Sequence, residues 1–356
     1  MSLPFLDLPI VLAPMGGAAT VKLVAAVSNA GGFGILPCAY LTPAQITAQI
    51  EELRAVTTRP FGVNLFVERS PYVPDVPRIE RAHDRLRYYR EELGIPHPQQ
   101  PALPPNTYRE QLQAVLDARP AVFTFTFGIP DVETMAQFHA SDIFTMGTAT
   151  TVAEARALQA AGVDGIFAQG AEAGAHRGAF LARAEDSLVG TLALVPQVVD
   201  ATALPVIAAG GIGDGRALAA VLALGAVAGA VGTSFLLAHE SGIAPAYRDA
   251  LRSERSEQTV LTRAFSGRTA RGIANRVTAE LGPDDIAPYP FQNAMTRDIR
   301  NAAGQQGRAE FLSLWAGQAA RLAKELPAAQ IVAEFMQEAR SAAACAANAF
   351  DGARSH

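Results

Sequence analysis

The stretch VDGIFAQGAEAGAHRG, residues 163–178, joins a short apolar run to a glycine-rich loop that contains a histidine. The run 163–168 predicts a buried β-strand. In proteins built of βα repeats, ligands bind in the loops that follow the strands, and glycines let the backbone come close to them. His176 is therefore a candidate acid, base or hydrogen-bond donor. A flexible surface loop with an incidental histidine is the alternative.

The rest of the chain repeats this strand-and-loop unit. The predicted strands cover residues 9–13, 32–36, 61–66, 121–127, 142–146, 163–168, 205–208 and 228–231. The predicted helices between them cover residues 21–28, 43–56, 131–139, 151–161 and 214–224. Most of these strands lack a polar face, as in a parallel sheet that is covered on both sides. Eight such units predict an α/β fold of the closed (β/α)8 TIM-barrel type.

Two segments interrupt the repeat and divide the chain. A proline-rich insertion with a charged helix at 79–93 follows the third strand, and it is either a lid or a surface decoration. Helices at 309–326 and 328–347 follow the last strand. The predicted organisation is barrel strands 1–3 in 1–67, the insertion in 68–119, barrel strands 4–8 in 120–285, and a C-terminal helical extension in 286–356.

Composition narrows the function classes. The net charge is −5 and the pI is about 5.7, which argues against a nucleic-acid partner because phosphate binding needs a basic face. The only lysines, Lys22 and Lys324, do not end a predicted strand, so a lysine-dependent aldolase is disfavoured. Cys38 and Cys345 form no CxxC motif. The chain begins without signal-peptide features and has no uninterrupted apolar span, so we expect a cytoplasmic protein with no membrane partner.

Two glycine-rich loops follow the seventh and eighth predicted strands. They read GGIGDG at 210–215 and VGTS at 231–234. In barrel enzymes the loops after strands seven and eight commonly bind a phosphate through backbone N–H groups. Tight turns are the alternative explanation of these glycines. The pattern lacks the Rossmann GxGxxG at the first βα turn, so it does not predict a dinucleotide fold.

Amide side chains stand at the ends of two other predicted strands. Asn64 lies within GVNLF, where an amide is costly unless it is hydrogen-bonded, so we expect it to face the barrel mouth. A purely structural role is the alternative. Gln169 ends the sixth strand in the same way. A phosphate site with amides across the mouth is chemically compatible with a flavin mononucleotide.

Several segments together resemble one family, the class I nitronate monooxygenases, formerly called 2-nitropropane dioxygenases. The resemblance runs from about residue 9 to the C-terminal helices, with its motifs in order at strand ends. The matching segments are APMGG at 13–17, SNAGGFGIL at 28–36, RPFGVNLF at 59–66, AQGAEAGAHRG at 168–178, PVIAAGGIGDGR at 205–216, VGTSFL at 231–236, FSGRTARGIAN at 265–275, YPFQNAMTR at 289–297 and LSLWAGQ at 312–318.

The resemblance implies an FMN-dependent barrel that oxidises alkyl nitronates, notably propionate 3-nitronate, with O2 to a carbonyl product and nitrite. The partners are then a small nitronate and O2, and the oligomeric state is left open. His176 would be the catalytic histidine. The cofactor-binding residues implied by the resemblance are Ala13, Pro14, Met15, Asn64, Gln169, Gly174, Gly210, Gly211, Ala230, Val231, Gly232 and Thr233.

One residue departs from the family pattern. The family loop usually has glycine immediately before the histidine, whereas this chain has Ala175. If that position requires a positive φ, alanine strains it by roughly 1 kcal/mol or more. The placement of His176 therefore depends on this position.

Two rival functions remain at this point. The first is a flavin reductase on the same barrel that takes hydride from NAD(P)H to a quinone or an enoyl thioester. The second is a metal-dependent or cofactor-free isomerase or lyase. Metal ligation needs clustered ligands, and the other histidines are scattered, so we expect no metal site. They are His83, His97, His139, His239 and His356.

Five further side chains are weaker candidates for substrate contact. Tyr72, Tyr108 and Tyr289 could line the mouth, although isolated tyrosines more often pack with the hydroxyl hydrogen-bonded. Arg268 and Arg271 could attract an anionic substrate, with a solvated loop or an ion pair as the alternative.

Overall fold

The structure, a computed structural model, describes residues 3–67, 74–103 and 107–352, and side chains as far as residue 350. Its strands are β1 (Ile10–Leu12), β2 (Phe33–Pro37), β3 (Gly62–Phe66), β4 (Val122–Thr126), β5 (Phe144–Ala149), β6 (Gly165–Gln169), β7 (Ala175–His176), β8 (Val206–Ala209), β9 (Ala228–Val231), β10 (Thr259–Thr262) and β11 (Ala270–Ile273). Its helices are α1 (Val21–Asn29), α2 (Pro43–Val56), α3 (Val76–Arg85), α4 (Arg87–Leu93), α5 (Tyr108–Ala118), α6 (Val132–Ala140), α7 (Val152–Ala160), α8 (Thr191–Ala201), α9 (Gly215–Ala223), α10 (Thr233–Leu236), α11 (Pro245–Arg252), α12 (Arg276–Glu280), α13 (Phe291–Met295), α14 (Arg297–Gln306) and α15 (Ala328–Gly352).

Eight parallel strands close into a barrel in the order β1-β2-β3-β4-β5-β6-β8-β9. Closure occurs where β1 pairs with β9, with Ile10 opposite Gly229. Alternate strand residues face inwards, so Val11, Phe33 and Phe167 fill the barrel while Leu12 packs against the surrounding helices. The predicted (β/α)8 barrel is confirmed.

Several helices between the strands begin where the sequence places a capping side chain. α2 covers the predicted residues, and the Thr42 hydroxyl accepts from the Gln45 N–H while the Gln45 side chain accepts from the Thr42 N–H. Asp214 caps α9 by accepting from two backbone N–H groups, as its position predicts. The sequence analysis did not predict α8. Its N-cap residue is Gly190, which has no side chain to cap the helix, and the helix contains Pro196.

A small antiparallel sheet outside the barrel has the order β10-β11-β7. Its two-residue strand β7 carries the histidine, and Ala270 lies opposite His176. The sequence analysis predicted none of these strands, because a two-residue strand in a glycine-rich loop has no periodicity of its own. The sheet attaches the loop after β6 to the C-terminal part of the chain.

The insertion packs against the C-terminal extension. The helix expected at 79–93 is divided into α3 and α4 at Leu86. The fully buried Arg90 joins the two regions, since its Nε donates to Asp298 Oδ2 at 2.7 Å and its Nη2 donates to the Met295 carbonyl at 2.6 Å. The neutral and charged acceptors together satisfy this buried guanidinium.

The prediction of a helix at 309–326 is wrong. Short 3₁₀ turns occupy Ala309–Phe311 and Ala320–Leu322, and between them Trp315 forms a β-bridge with Gly272 of β11. The backbones approach so closely that a Cβ on Gly272 would lie 2.8 Å from the Leu314 carbonyl oxygen. Tertiary pairing therefore overrides the helical composition of this segment. The helix expected at 328–347 is confirmed as α15.

Candidate active site

A cavity of about 620 Å³ opens at the carboxyl ends of the barrel strands. One side, the barrel wall, is formed by the carboxyl ends of β3, β4, β5 and β6 and by the loops after β1, β6, β8 and β9. The other side, the C-terminal wall, is formed by residues between 242 and 319. The predicted site residues that line the cavity are Ala13, Pro14, Met15, Asn64, Gln169, Gly174, His176, Gly210, Gly211, Ala230, Gly232 and Thr233.

Val231 is the exception among the predicted site residues. Its side chain is 1% exposed and packs in the layer between barrel and helices. The preceding residue, Ala230, points into the barrel because side chains alternate along a strand. The resemblance transferred a continuous segment, whereas the pleat brings only alternate side chains to the cavity.

His176 lies on the cavity wall among aromatic rings. Its Nε2 is 2.9 Å from the Ser266 hydroxyl oxygen. The ring centroids around it are those of Phe127 and Trp315 at 5.7 Å, Phe66 at 6.0 Å and Tyr289 at 6.5 Å. These rings hold the imidazole and exclude water from most of its surface.

This environment keeps the imidazole neutral. Burial, and then the positive charges of Arg268 and Arg300, lower the pKa of His176 from 6.5 to about 3. At neutral pH the ring therefore has one bare nitrogen and one N–H. A neutral histidine in a cavity can accept a proton or form hydrogen bonds without first losing one.

The residue before the histidine has a positive φ. Ala175 has φ +59°, in the left-handed region that glycine adopts without cost. The strain expected from the departure at this position is confirmed. The pairing of β7 with β11 holds it there, with Arg271 opposite Ala175.

The two amide side chains are tied to neighbouring groups. The Gln169 Nε2 donates to the His176 carbonyl at 3.0 Å, and its Oε1 accepts from the Gly178 N–H at 2.8 Å. The Asn64 Nδ2 donates to the Thr124 hydroxyl at 2.9 Å. Both side chains face the cavity as expected, and Gln169 also fixes the loop that carries the histidine.

The two glycine-rich loops point backbone donors at the cavity. Gly210 and Gly211 have φ of +105° and +73°, and a Cβ on Gly210 would lie 2.9 Å from the Ala173 nitrogen. In the part of the chain that the structure describes, the N–H groups of Gly211, Gly232 and Thr233 donate to no protein acceptor. Unpaired N–H groups on a cavity wall fit a bound anion such as a phosphate.

The C-terminal wall brings a cation that the sequence analysis missed. Arg300 donates through Nε to the Thr296 carbonyl and through Nη2 to the carbonyl and side-chain oxygens of Asn293. Within the described ranges its Nη1 has no hydrogen-bond partner, and the guanidinium forms no ion pair with a carboxylate. Burial lowers the pKa of Arg300.

Tyr40 also lines the cavity, and Tyr289 is its neighbour. Their hydroxyls share a hydrogen bond, and Tyr40 lies within the electrostatic range of the Arg300 charge. Asn293 and Arg300 are seven residues apart, about two helical turns, and this spacing of polar residues is a signal that sequence reasoning could have used. The polar members of the C-terminal wall are Tyr247, Asn293, Arg300, Asn301, Gln305, Ser313 and Trp315.

The described weaker candidates do not line the cavity, although the Tyr289 ring lies against His176. Arg268 stacks on the Phe127 ring, 3.7 Å from its centroid, and donates to the Ala179 carbonyl. The buried Arg271 donates to the Ala171 carbonyl. Neither arginine lines the cavity, and neither does Tyr108. Tyr72 and His356 lie outside the described residues.

The remaining expectations concern what surrounds the site. No described residue of the insertion lines the cavity, so the described helices of that segment form no lid over it. Residues 68–73 and 104–106 of this segment are not among the residues that the structure describes. Among the residues the structure covers, no cluster of three or more histidine, cysteine or acidic side chains could hold a metal ion. In the same ranges, every helix is too short or too polar to cross a membrane.

Comparisons with known proteins identify a family for this chain. A family model described as nitronate monooxygenase matches residues 3–338. A probable nitronate monooxygenase of Staphylococcus aureus is 40% identical over 337 residues, 94% of each chain. A solved nitroalkane oxidase from Streptomyces ansochromogenes has a TM-score of 0.89 and 40% identity over 96% of this chain and 98% of its own. FabK from Thermotoga maritima has a TM-score of 0.74 and 28% identity over 94% of each chain.

Proposed function

The chain belongs to the nitronate monooxygenase family, whose members are flavin-dependent oxidoreductases, and from that membership we propose that it oxidises alkyl nitronates with O2 on a bound flavin mononucleotide. The products are a carbonyl compound and nitrite. The observation that carries this proposal is that neutral His176 and the unpaired N–H groups of the glycine-rich loops open into one cavity.

Flavin mononucleotide suits the barrel wall. The N–H groups of Gly211, Gly232 and Thr233 offer one anion cradle, which matches a single phosphate. Asn64 and Gln169 line the same cavity, and their amides would be available to the polar edge of an isoalloxazine ring. A bound flavin supplies the electron-accepting and O2-activating chemistry, and the protein supplies binding and orientation.

The C-terminal wall suits a nitronate with a second negative charge. Arg300 lines the cavity, and its hydrogen-bond partners among the described residues are neutral acceptors that leave Nη1 unused. A carboxylate is the group that a guanidinium binds best. We therefore propose that propionate 3-nitronate or a similar acidic nitronate is the preferred substrate, with its carboxylate on Arg300 and its nitronate carbon towards His176.

A spectroscopic experiment tests the proposed function. The visible spectrum of the purified protein reports bound flavin, and separate anaerobic cuvettes then receive propionate 3-nitronate or NADH. We expect a flavin spectrum, bleaching by the nitronate, and no rapid bleaching by NADH. A colourless protein that cannot be reconstituted with FMN would refute the cofactor, and bleaching by NADH alone would indicate the NAD(P)H-dependent reductase.

The His176→Ala variant tests the histidine separately. We expect it to retain the flavin spectrum, because His176 contributes no cradle N–H, while turnover of a neutral nitroalkane such as nitroethane, whose proton a base must remove, falls by about 10²-fold or more. Wild-type turnover in this variant would remove His176 from the catalytic assignment.

A further inference from the structure

The hydroxyl of Ser266 contacts three groups. Its oxygen is 2.9 Å from His176 Nε2, 3.2 Å from the backbone nitrogen of Arg268 and 3.0 Å from the backbone carbonyl oxygen of Arg268. Ser266 is 1% exposed. A serine hydroxyl has one proton to donate and two lone pairs to accept with. Its proton therefore determines what it offers to the histidine.

Only one proton arrangement uses all three contacts. The backbone N–H of Arg268 can only donate a hydrogen bond, and its backbone carbonyl can only accept one. If the Ser266 proton goes to the carbonyl, its oxygen accepts from the Arg268 N–H and also from His176 as an Nε2–H donor. If the proton goes to Nε2 instead, the contact with the carbonyl is lost. The first arrangement is favoured because it keeps one more hydrogen bond.

The turn around Ser266 is rigid, which keeps this geometry. The acceptance from the N–H two residues later is an ST-turn. Gly267 has φ +82°, and a Cβ there would lie 2.4 Å from the Ala287 carbonyl oxygen. The Arg263 side chain donates to the Gly267 carbonyl at 3.1 Å. The serine is therefore held by the backbone on both sides.

The other ring nitrogen of His176 faces the cavity. Nδ1 has no hydrogen-bond partner within the described residues, and it is not among the buried polar atoms left without one. His176 lines the cavity. A ring that is neutral and protonated at Nε2 has its lone pair at Nδ1.

We propose that Ser266 is a positioning residue that holds His176 in the Nε2–H tautomer, so that the Nδ1 lone pair accepts the α-proton of neutral nitroalkanes. In this step the proton moves from the substrate carbon to Nδ1, and the C–H electron pair moves into the nitro group to give the nitronate. The resulting imidazolium keeps its Nε2–H bond to Ser266, so no hydroxyl has to reorient. The opposite tautomer would point the only ring lone pair at Ser266, away from the substrate.

Nuclear magnetic resonance of the holoenzyme tests the tautomer directly. The protein is labelled with ¹⁵N-histidine, and the His176→Gln spectrum identifies the His176 signals. We expect Nε2 protonated and Nδ1 bare between pH 5 and 8 in the wild type, and a shift towards the Nδ1–H form in Ser266→Ala. A wild-type ring protonated at Nδ1 would overturn the proposal even if the variant does not fold.

Kinetics with a matched substrate pair test the consequence, which rests on the proposed function. Nitroethane must lose a proton in the site, whereas ethylnitronate has already lost it. In Ser266→Ala we expect kcat/KM for nitroethane to fall about 10-fold or more and that for ethylnitronate to change less than about 3-fold. Equal losses on both substrates would overturn the proposal.

The control is Ser256→Ala. Ser256 is 0% exposed and donates to the Ser253 carbonyl, so the variant loses a buried hydroxyl that does not line the cavity. We expect its ratio of nitroethane to ethylnitronate activity to equal that of the wild type. If the wild-type holoenzyme oxidises neither substrate, the proposed function fails while the tautomer measurement still decides the role of Ser266.

Discussion

The barrel wall and the C-terminal wall face each other across one cavity and differ in side-chain size and charge. The barrel wall is rich in glycines, alanines and threonines and carries two amides, and among the described residues the N–H groups of Gly211, Gly232 and Thr233 have no protein acceptor. The C-terminal wall carries Arg300 and Trp315. A wall of backbone suits a flat cofactor with a phosphate, and a wall of long polar side chains suits recognition of a substrate. His176 lies on β7, which joins the two.

If this division is correct, changes in the barrel wall should affect cofactor retention. Gly210→Ala places a side chain at φ +105° with its Cβ 2.9 Å from the Ala173 nitrogen, a strain of about 1–3 kcal/mol. We expect most of the flavin to be lost on purification, as measured by the ratio of visible to ultraviolet absorbance. The control Gly282→Ala, with φ −75° and no atom nearer than 3.6 Å, should keep its flavin. Full occupancy in Gly210→Ala would contradict the division.

Changes in the C-terminal wall should instead affect substrate preference. Arg300→Met removes a charged hydrogen bond worth about 1.5–3 kcal/mol, so KM for propionate 3-nitronate should rise roughly 10- to 100-fold. The KM for ethylnitronate, which lacks a carboxylate, should change little, and the flavin should stay bound. Arg297→Met, at an exposed position of the same helix, is the control. Equal effects on both substrates would show that Arg300 does not determine the preference for a substrate with a carboxylate.

The pH dependence of stability tests the burial of His176, which lies between the two walls. The folded protein keeps His176 neutral down to about pH 3, whereas the unfolded chain takes up a proton near pH 6.5. The unfolded state therefore binds more protons in this window, and wild-type stability should fall as the pH decreases through it. In His176→Gln the decline of Tm between pH 7 and 4 should be shallower. His239→Gln, at an exposed position, should follow the wild-type slope.

The smallest expected effect concerns Ala175, the strained residue next to His176. Ala175→Gly removes a side chain from φ +59° and should raise the free energy of unfolding by about 0.5–1 kcal/mol, or Tm by roughly 1–3 °C. Ala161→Gly, at φ −81°, should lower stability by a similar amount because only chain entropy changes. The same substitution should thus have opposite signs at the two positions. A loss of stability in Ala175→Gly would contradict the strain.

The two walls also differ in how well the sequence predicted them. The barrel wall follows from short-range signals: apolar runs locate the strands, and the glycines and amides at their ends locate the loops. Twelve of the thirteen expected site residues line the cavity for this reason, and Val231 does not because the pleat turns it outwards. The C-terminal wall depends on contacts between distant parts of the chain. Its composition at 309–326 predicts a helix, but pairing with β11 extends it.

The sequence by itself determined the barrel, the helix caps and the loops that offer donors to a cofactor, because each depends on residues a few positions apart. Only the tertiary structure decided that Ser266 meets His176 and that Arg300 enters the cavity. It also decided the charge state of the histidine, since the pKa of His176 depends on burial and on the charges of Arg268 and Arg300, which other segments bring to it. Desolvation and Coulomb interactions act through space, so neighbours along the chain do not reveal them.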